Sequence, residues 1–202
     1  MLKINYSCGD YQFIFKNIEL NHDKIFEEIK NLKFIKAKIN YDIEISVSNK
    51  ILNLLPSNKI IKKVINKKIK EVINNYLEYD IKHKIVTSWA TKSYPNNEDE
   101  MHQHKNFWLS ACYYPHGNKQ DNFKINFKSS KYEHWSIPVK KYNMFNSDFY
   151  SIEIEKGDLI IFPSKLFHCP DKNTSNIIRH SLAMNILPVG KIGVLDSELI
   201  MK

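Results

Sequence analysis

Lys156–Leu187, KGDLIIFPSKLFHCPDKNTSNIIRHSLAMNIL, is the stretch that decides the fold. Leu159–Phe162 is an apolar run between a Gly-Asp pair and a proline, and such a run is typical of a strand that is covered on both faces. A loop that carries His168 follows, and Arg179 opens a second hydrophobic segment. The stretch therefore predicts two interior strands joined by a loop that presents one histidine.

Side chains alternate in character along the second of these strands. One face carries polar or small residues, with a positive charge and a hydroxyl among them: Arg179, Ser181, Ala183 and Asn185. The other face is apolar: Leu182, Met184 and Ile186. Because successive residues of a strand point to opposite faces of the sheet, the polar face is predicted to line a cavity that can hold an anion.

A pair of histidines lies upstream, at His102 and His104 in the segment MHQH. If this segment is extended, the two imidazoles project from the same side. Together with His168 they form a set of three nitrogen ligands from two distant parts of the chain, and such a set can bind one divalent metal ion. Glu100 lies on the same side of the segment and is an alternative source of a ligand.

The order of these motifs resembles that of the 2-oxoglutarate and Fe(II)-dependent oxygenases, in particular a group of small bacterial and phage oxygenases. Ser88–Ala90 (SWA) precedes the histidine pair, and Leu109–Tyr114 (LSACYY) follows it. The strand Gly157–Ser164 (GDLIIFPS), the distal His168 and an Arg-x-Ser motif at Arg179 complete the resemblance, which covers about residues 84–187.

The resemblance implies a cofactor set of Fe(II), 2-oxoglutarate as co-substrate, and O2. It implies that His102, His104 and His168 bind the metal. It also implies that Arg179, Ser181 and Tyr114 bind the distal carboxylate of 2-oxoglutarate, for which the guanidinium fork offers two parallel donors. An aromatic residue that only packs at a strand end is an equal alternative for Tyr114.

His104 departs from the usual motif of the family, which has a carboxylate at this position. A neutral imidazole there leaves the metal centre one unit more positive. Two alternatives stay open: Glu100 supplies the carboxylate, or only one histidine of the pair is a ligand and the other supports it. We interpret the five histidines outside the motif as surface or packing residues: His22, His83, His116, His134 and His180.

The pattern along the chain predicts one domain over residues 1–202, with N-terminal helical support over about 1–83 and a barrel over about 84–202. Asn58 to about Tyr79 has helical periodicity, with Ser57 as its expected N-cap. The predicted strands are 84–90, 101–104, 107–114, 123–127, 150–155, 158–162, 179–187 and a closing strand within 191–202. Helices followed by many short strands favour a mainly β fold with helices (α+β), a jelly roll or double-stranded β-helix. Loops over 94–100 and 117–122 are expected at the barrel mouth.

Composition limits the function classes. The 202-residue chain has a formal charge of +8, but lysine is spread along it without interleaved aromatics, so nucleic-acid binding is not favoured. Lysines on one side of the Asn58–Tyr79 helix are read as a solvated face in preference to a phosphate-binding strip. Cys8, Cys112 and Cys169 have no paired spacing, which disfavours disulfides. No apolar stretch reaches the ~20 residues of a membrane span, so we expect a cytoplasmic protein without a membrane partner.

The leading hypothesis is a dioxygenase that hydroxylates a protein side chain or a small metabolite by ferryl-mediated C–H abstraction. Oxidation of a nucleobase is an alternative, motivated by the charge. A jelly-roll module that binds a metal without catalysis is a second alternative, motivated by His104. The identity of the prime substrate is not encoded in any motif that we can interpret.

Overall fold

The computed structural model of the chain describes residues 1–7, 10–37, 43–128, 138–143 and 146–202. Cys8 and His134, which entered the sequence analysis, lie outside these residues. None of the helices in the described part is long and apolar enough to cross a membrane.

Strands dominate the described residues. They are β1 (Leu2–Ser7), β2 (Asp10–Phe15), β3 (Phe34–Lys36), β4 (Ile43–Ser46), β5 (Lys82–Ser93), β6 (Leu109–Tyr113), β7 (Lys124–Lys128), β8 (Phe149–Glu153), β9 (Leu159–Pro163), β10 (His168–Pro170), β11 (Arg179–Ile192) and β12 (Leu199–Met201). The α-helices are α1 (His22–Lys30), α2 (Ile51–Leu54) and α3 (Asn58–Glu71), and a π-helical turn over Val72–Tyr76 continues α3. Short 3-10 turns occur at Lys119–Asp121 and Leu195–Ser197.

The larger sheet has the strand order β1-β2-β9-β6-β11-β5-β4-β3, with every pair antiparallel. Its strand β9 is buried along its whole length. Leu159 and Ile161 pack with the helices on one side, and Ile160 and Phe162 pack towards the smaller sheet on the other. The predicted strand with two covered faces is thereby confirmed, and it explains why a continuous apolar run occurs here.

The smaller sheet has the order β10-β7-β8, also antiparallel. Ile125 and Phe127 of β7 pack against the inner face of the larger sheet, in one apolar cluster with Ile160 and Phe162. Two antiparallel sheets facing each other, with helices behind the larger one, confirm the predicted mainly β jelly-roll fold.

The helices cover the outer face of the larger sheet. Ile61, Ile65 and Ile69 of α3 are fully buried there, and burial of such a side chain contributes roughly 1.5–3 kcal/mol. Ser57 stands at the N-cap position of α3, but its side chain makes no capping bond. Its hydroxyl and its amide donate to the carboxylate of Glu28 in α1, at 2.6 and 3.0 Å, so the predicted N-cap residue is confirmed by its position and is held by α1.

Two predicted strands differ from the structure. Residues 101–104 form no regular strand: His102 pairs with His168 in an isolated antiparallel bridge, because the turn after Pro163 interrupts the partner segment. The predicted closing strand exists as β12, but it pairs only with the far end of β11, at Gly190–Ile192, and extends that edge as a hairpin. The N-terminal 83 residues also contribute β1–β4 to the larger sheet, besides their helices.

An aromatic cluster with two histidines lies between α1 and β11. His116 stacks on Phe26 with ring centroids 4.1 Å apart, and His180 lies edge-on to the same ring at 5.5 Å. Both imidazoles are buried. Burial, assisted by the positive charges of Lys30 and other neighbours, lowers the pKa of His116 and of His180 to about 4. The prediction of packing roles for these two histidines agrees with this arrangement.

This cluster predicts acid sensitivity of the metal-free protein. Between about pH 6.5 and 4 these two histidines are protonated in the unfolded chain but neutral in the folded chain. The free energy of unfolding should therefore fall as the pH falls, by about 2 kcal/mol per buried histidine between pH 7.5 and 5. Denaturant titrations at both pH values, with a chelator present, measure this decline. The variant His180→Phe keeps a ring beside Phe26 but cannot be protonated, and its decline should be smaller by about 2 kcal/mol. Identical declines would contradict the prediction.

Candidate metal centre

Backbone pairing brings the three motif histidines together. The amide of His102 donates to the carbonyl of His168 at 2.9 Å, and the amide of His168 donates back to His102 at 2.8 Å. Two residues on, the amide of His104 donates to the carbonyl of Ser164 at 3.0 Å. This extended pairing holds the side chains of His102 and His104 on the cavity side. One potential ligand atom of each of the three histidines lies within 4.8 Å of the others.

Each of the three imidazoles has its Nδ1 occupied. Nδ1 of His102 donates to the carbonyl of Glu100 at 2.8 Å, and Nδ1 of His168 donates to the carbonyl of Leu166 at 2.9 Å. Nδ1 of His104 donates to Oδ1 of Asn185 at 2.7 Å. Since a carbonyl oxygen can only accept, these contacts fix the Nδ1–H tautomer and leave the lone pair on Nε2 of each ring available.

The local electrostatics favour neutral rings. Burial, together with repulsion from His102, lowers the pKa of His104 to about 4. Burial and the same neighbour lower the pKa of His168 to about 3. Histidine binds metals in its neutral form, so protons do not compete for His104 or His168 at neutral pH.

The donor set fits a divalent transition metal. Three imidazoles are suitable ligands for iron, nickel, copper or zinc, and three ligands leave coordination positions open for other molecules. Among the described residues, the converging group contains no carboxylate and no cysteine. Glu100 takes part through its backbone carbonyl, which orients His102, so the alternative that Glu100 supplies a carboxylate ligand is not supported.

A cavity of about 360 Å³ extends from the histidines between the two sheets. All six predicted site residues line it: His102, His104, His168, Tyr114, Arg179 and Ser181. Ile43 and Ile45 of β4, with Trp89 of β5, form an apolar part of its wall, and Asp99 and Glu100 add two carboxyl groups. Of the two loops predicted at the mouth, 94–100 therefore contributes to the cavity, whereas no residue of 117–122 lines it.

Arg179 is a buried cation inside this cavity. Its side chain is only 4% exposed. One terminal nitrogen, Nη2, donates to the carbonyl of Asp171 at 2.8 Å, whereas Nη1 is buried with no hydrogen-bond partner in the described part of the chain. An unpaired buried charge costs several kcal/mol, so this nitrogen is suited to an anionic ligand. The predicted interior position of Arg179 is thus confirmed by its burial.

Two hydroxyl groups accompany Arg179. Ser181, two residues along the same face of β11, shares a hydrogen bond of 2.6 Å with Thr91. Tyr114 is buried, and burial raises the pKa of its phenol well above 10, so that it stays a donor. Cys112 lies between them with its thiol in hydrogen-bond contact with both side chains, and burial raises the pKa of that thiol.

Several residues of the site have roles that the sequence did not predict. Thr91, Cys112 and Trp89 line the cavity. Asn185 was predicted to line it together with Arg179 and Ser181, and this is wrong: Asn185 lies behind His104 and bonds to its ring. Trp89, Thr91 and Ser93 alternate along β5 and all line the cavity. A period of two on that strand is the signal that could have identified Thr91.

Comparison with known proteins agrees with this geometry. Residues 87–185 match the family model described as "Putative 2OG-Fe(II) oxygenase". No curated protein matches the sequence significantly.

Solved structures confirm the fold. HygX from Streptomyces hygroscopicus, with nickel and 2-oxoglutarate bound, is 8% identical over 88% of this chain and 82% of its own, with a TM-score of 0.61. A Pseudomonas putida prolyl-4-hydroxylase is 12% identical over 89% and 93%, with a TM-score of 0.61. SnoK, a non-heme alpha ketoglutarate dependent carbocyclase from nogalamycin biosynthesis, is 9% identical over 89% and 80%, with a TM-score of 0.63.

Proposed function

This chain belongs to the 2-oxoglutarate and Fe(II)-dependent oxygenases, and on that premise we propose that it hydroxylates a small metabolite or a protein side chain at the cavity described above. His102, His104 and His168 would hold Fe(II) through their Nε2 atoms. Arg179, Ser181 and Tyr114 would hold the distal carboxylate of 2-oxoglutarate. One observation carries this assignment: three free imidazole lone pairs and an unpaired buried guanidinium nitrogen face the same cavity.

When bound, iron, 2-oxoglutarate and O2 would supply the oxidation, with 2-oxoglutarate converted to succinate and CO2. The protein's own residues bind, orient and exclude water. Arg179 fixes the co-substrate by a charge-assisted pair of hydrogen bonds. Tyr114, whose phenol stays protonated, donates to the same carboxylate. The apolar wall at Ile43, Ile45 and Trp89 keeps the reacting end dry, and no side chain is needed as a general base.

The lining of the cavity supports a substrate with an aliphatic C–H group that is neutral or positively charged. The wall beside the histidines is apolar, and Asp99 and Glu100 are the acidic groups of the lining. Among similar structures, HygX has been determined with hygromycin B bound, and another is a prolyl-4-hydroxylase. Both a small molecule and a protein side chain therefore remain within the proposal.

Nucleobase oxidation is less well supported. A nucleic acid would bring phosphates next to Asp99 and Glu100, and like charges repel. The lysines of α3 lie behind the larger sheet, on the opposite side from the cavity, so they cannot guide a phosphate backbone to the histidines. Binding of a short single-stranded DNA should therefore be weak and independent of 2-oxoglutarate. Tight binding that weakens steeply with salt and competes with the co-substrate would favour this alternative.

Succinate release tests the proposal against a non-catalytic module. The purified protein, loaded anaerobically with Fe(II) and 2-oxoglutarate and then exposed to O2, should release succinate slowly without a prime substrate, and only when iron is present. Calorimetry with 2-oxoglutarate should show binding to the metal-loaded protein and much weaker binding to the metal-free protein. Metal binding without co-substrate binding and without succinate would instead favour the non-catalytic jelly-roll module.

A further inference from the structure

The three motif histidines are oriented by different means. His102 and His168 donate to backbone carbonyls within their own local segments, two residues away. The Nδ1–H of His104 is instead shared between two side chains on strands, Asn185 of β11 at 2.7 Å and Ser110 of β6 at 2.9 Å. The orientation of His104 therefore depends on particular side chains, whereas the other two rings depend on the course of the backbone.

Asn185 is the centre of a buried polar network. Its Oδ1 accepts from Nδ1 of His104 and from the hydroxyl of Ser110, the latter at 3.0 Å. Its Nδ2 donates to the hydroxyl of Thr87 at 3.1 Å. Ser110 in turn shares a hydrogen bond of 2.8 Å with Ser164. With the amide nitrogen towards Thr87 and the amide oxygen towards His104, the oxygen can only accept from the ring, so the imidazole carries its proton on Nδ1.

The pairing of β11 is irregular directly after Asn185. The pairing of β11 with β5 is regular from Arg179 to Asn185 and shifts register between Asn185 and Ile186. Irregularities of this kind are frequent beside active sites, where they redirect a side chain. Asn185 is 5% exposed and does not line the cavity, so it reaches the metal centre only through His104.

We propose that Asn185 is the positioning residue for His104 and makes this ring a metal ligand through Nε2. The inference rests on the proposed function, since it concerns the same metal centre. It distinguishes between the alternatives that the sequence left open. A ring whose Nδ1 is engaged by Asn185, and which has a potential ligand atom within 4.8 Å of those of two other histidines, is placed to bind and not merely to support.

The neutral amide also has an electrostatic consequence. Three neutral imidazoles leave the full charge of the divalent ion for the dianionic co-substrate. A carboxylate at position 185 would make the His104 ring a stronger donor and place a negative charge behind it. Asn185→Asp should therefore bind the metal more tightly than the natural protein but bind 2-oxoglutarate more weakly. A residue that only filled space would not produce this opposite pair of effects.

Co(II) is the probe for the test, because it is stable in air and its visible spectrum reports coordination. Asn185→Leu, which removes both hydrogen bonds at similar volume, should lower Co(II) affinity about 10- to 100-fold, measured by competition with a chelator. In a His104→Ala background the same substitution should cause no further loss, since its effect passes through that ring. Gln12→Leu, which removes a buried amide from β2 outside the cavity lining, is the matched control and should leave Co(II) affinity unchanged.

The outcomes separate the inference from the proposed function. Wild-type Co(II) affinity and spectrum in Asn185→Leu, or equal losses in the natural and His104→Ala backgrounds, would overturn the role of Asn185. If Asn185→Leu does not fold, the Asn185→Asp variant decides the question: tighter metal with weaker 2-oxoglutarate supports the role, and unchanged values for both contradict it. Failure of the natural protein to bind Co(II) and 2-oxoglutarate would instead refute the proposed function itself.

Discussion

Substitution of His168 by alanine should abolish iron binding. His168 is 5% exposed. Its Nδ1 donates to the backbone carbonyl of Leu166, which leaves Nε2 available beside His102 and His104. Loss of a residue that merely supports a ligand costs about 10- to 100-fold in metal affinity, so loss of a ligand from a set of three should cost more than about 100-fold. Iron retained after anaerobic loading with Fe(II) and gel filtration measures the effect.

His83→Ala is the matched control for this experiment. His83 is half-buried, hydrogen-bonded to Asn66 of α3 at 3.0 Å and outside the cavity lining. Its replacement removes an imidazole of similar exposure to His102 and His104 without touching the metal centre, so iron retention should stay at the natural level. If His168→Ala retained as much iron as His83→Ala, the assignment of the three histidines would be refuted.

The sequence contained enough information to predict the parts of the site that follow from strand periodicity. A strand has a period of two, and the residues of β11 carry that period plainly: Leu182 and Met184 pack towards the helices, whereas Arg179, Ser181 and Ala183 line the cavity. The apolar run in β9 likewise predicted a strand buried on both faces. In both strands, one physical rule links side-chain character directly to direction.

The parts that depend on contacts between distant segments could not be predicted. Residues 96–104 pair with residues 164–173 through isolated backbone hydrogen bonds after a turn. Such pairing leaves no periodic pattern of side chains in the sequence. The contribution of Ile43 and Ile45 to the cavity wall depends on how β4 pairs with the end of β5. The role of Asn185 depends on a register shift that only the folded sheet reveals.

One compositional signal would have strengthened the prediction for Arg179. It is the only arginine in the chain. All the other residues among the 30 lysines and arginines are lysines. A chain that uses lysine wherever a positive charge is solvated retains arginine where a planar fork with several donors is required. The structure agrees with this interpretation: among the described residues, Arg179 lines the cavity and no lysine does.

Substitution of Arg179 by methionine should therefore raise the 2-oxoglutarate concentration needed for half-maximal binding. Methionine preserves much of the side-chain volume against Phe123, whose ring centre lies 5.5 Å from the guanidinium carbon, but it removes the charge. Breaking one side of a buried charge pair costs about 2–5 kcal/mol, which corresponds to an increase of roughly 30-fold to several thousand-fold. Calorimetry with 2-oxoglutarate on the Co(II)-loaded protein measures this increase.

Arg179→Lys separates the charge from the geometry of the fork. Lysine retains a positive charge but offers a single donor centre, so the increase should be smaller than for methionine yet still present, because the carboxylate loses its second parallel hydrogen bond. Co(II) affinity measured without 2-oxoglutarate should be the same in both variants and in the natural protein, since Arg179 does not contact the three histidines. An unaltered 2-oxoglutarate requirement in Arg179→Met would mean that the anion binds elsewhere, whereas a loss of Co(II) binding in that variant would mean that Arg179 supports the metal centre and not the co-substrate.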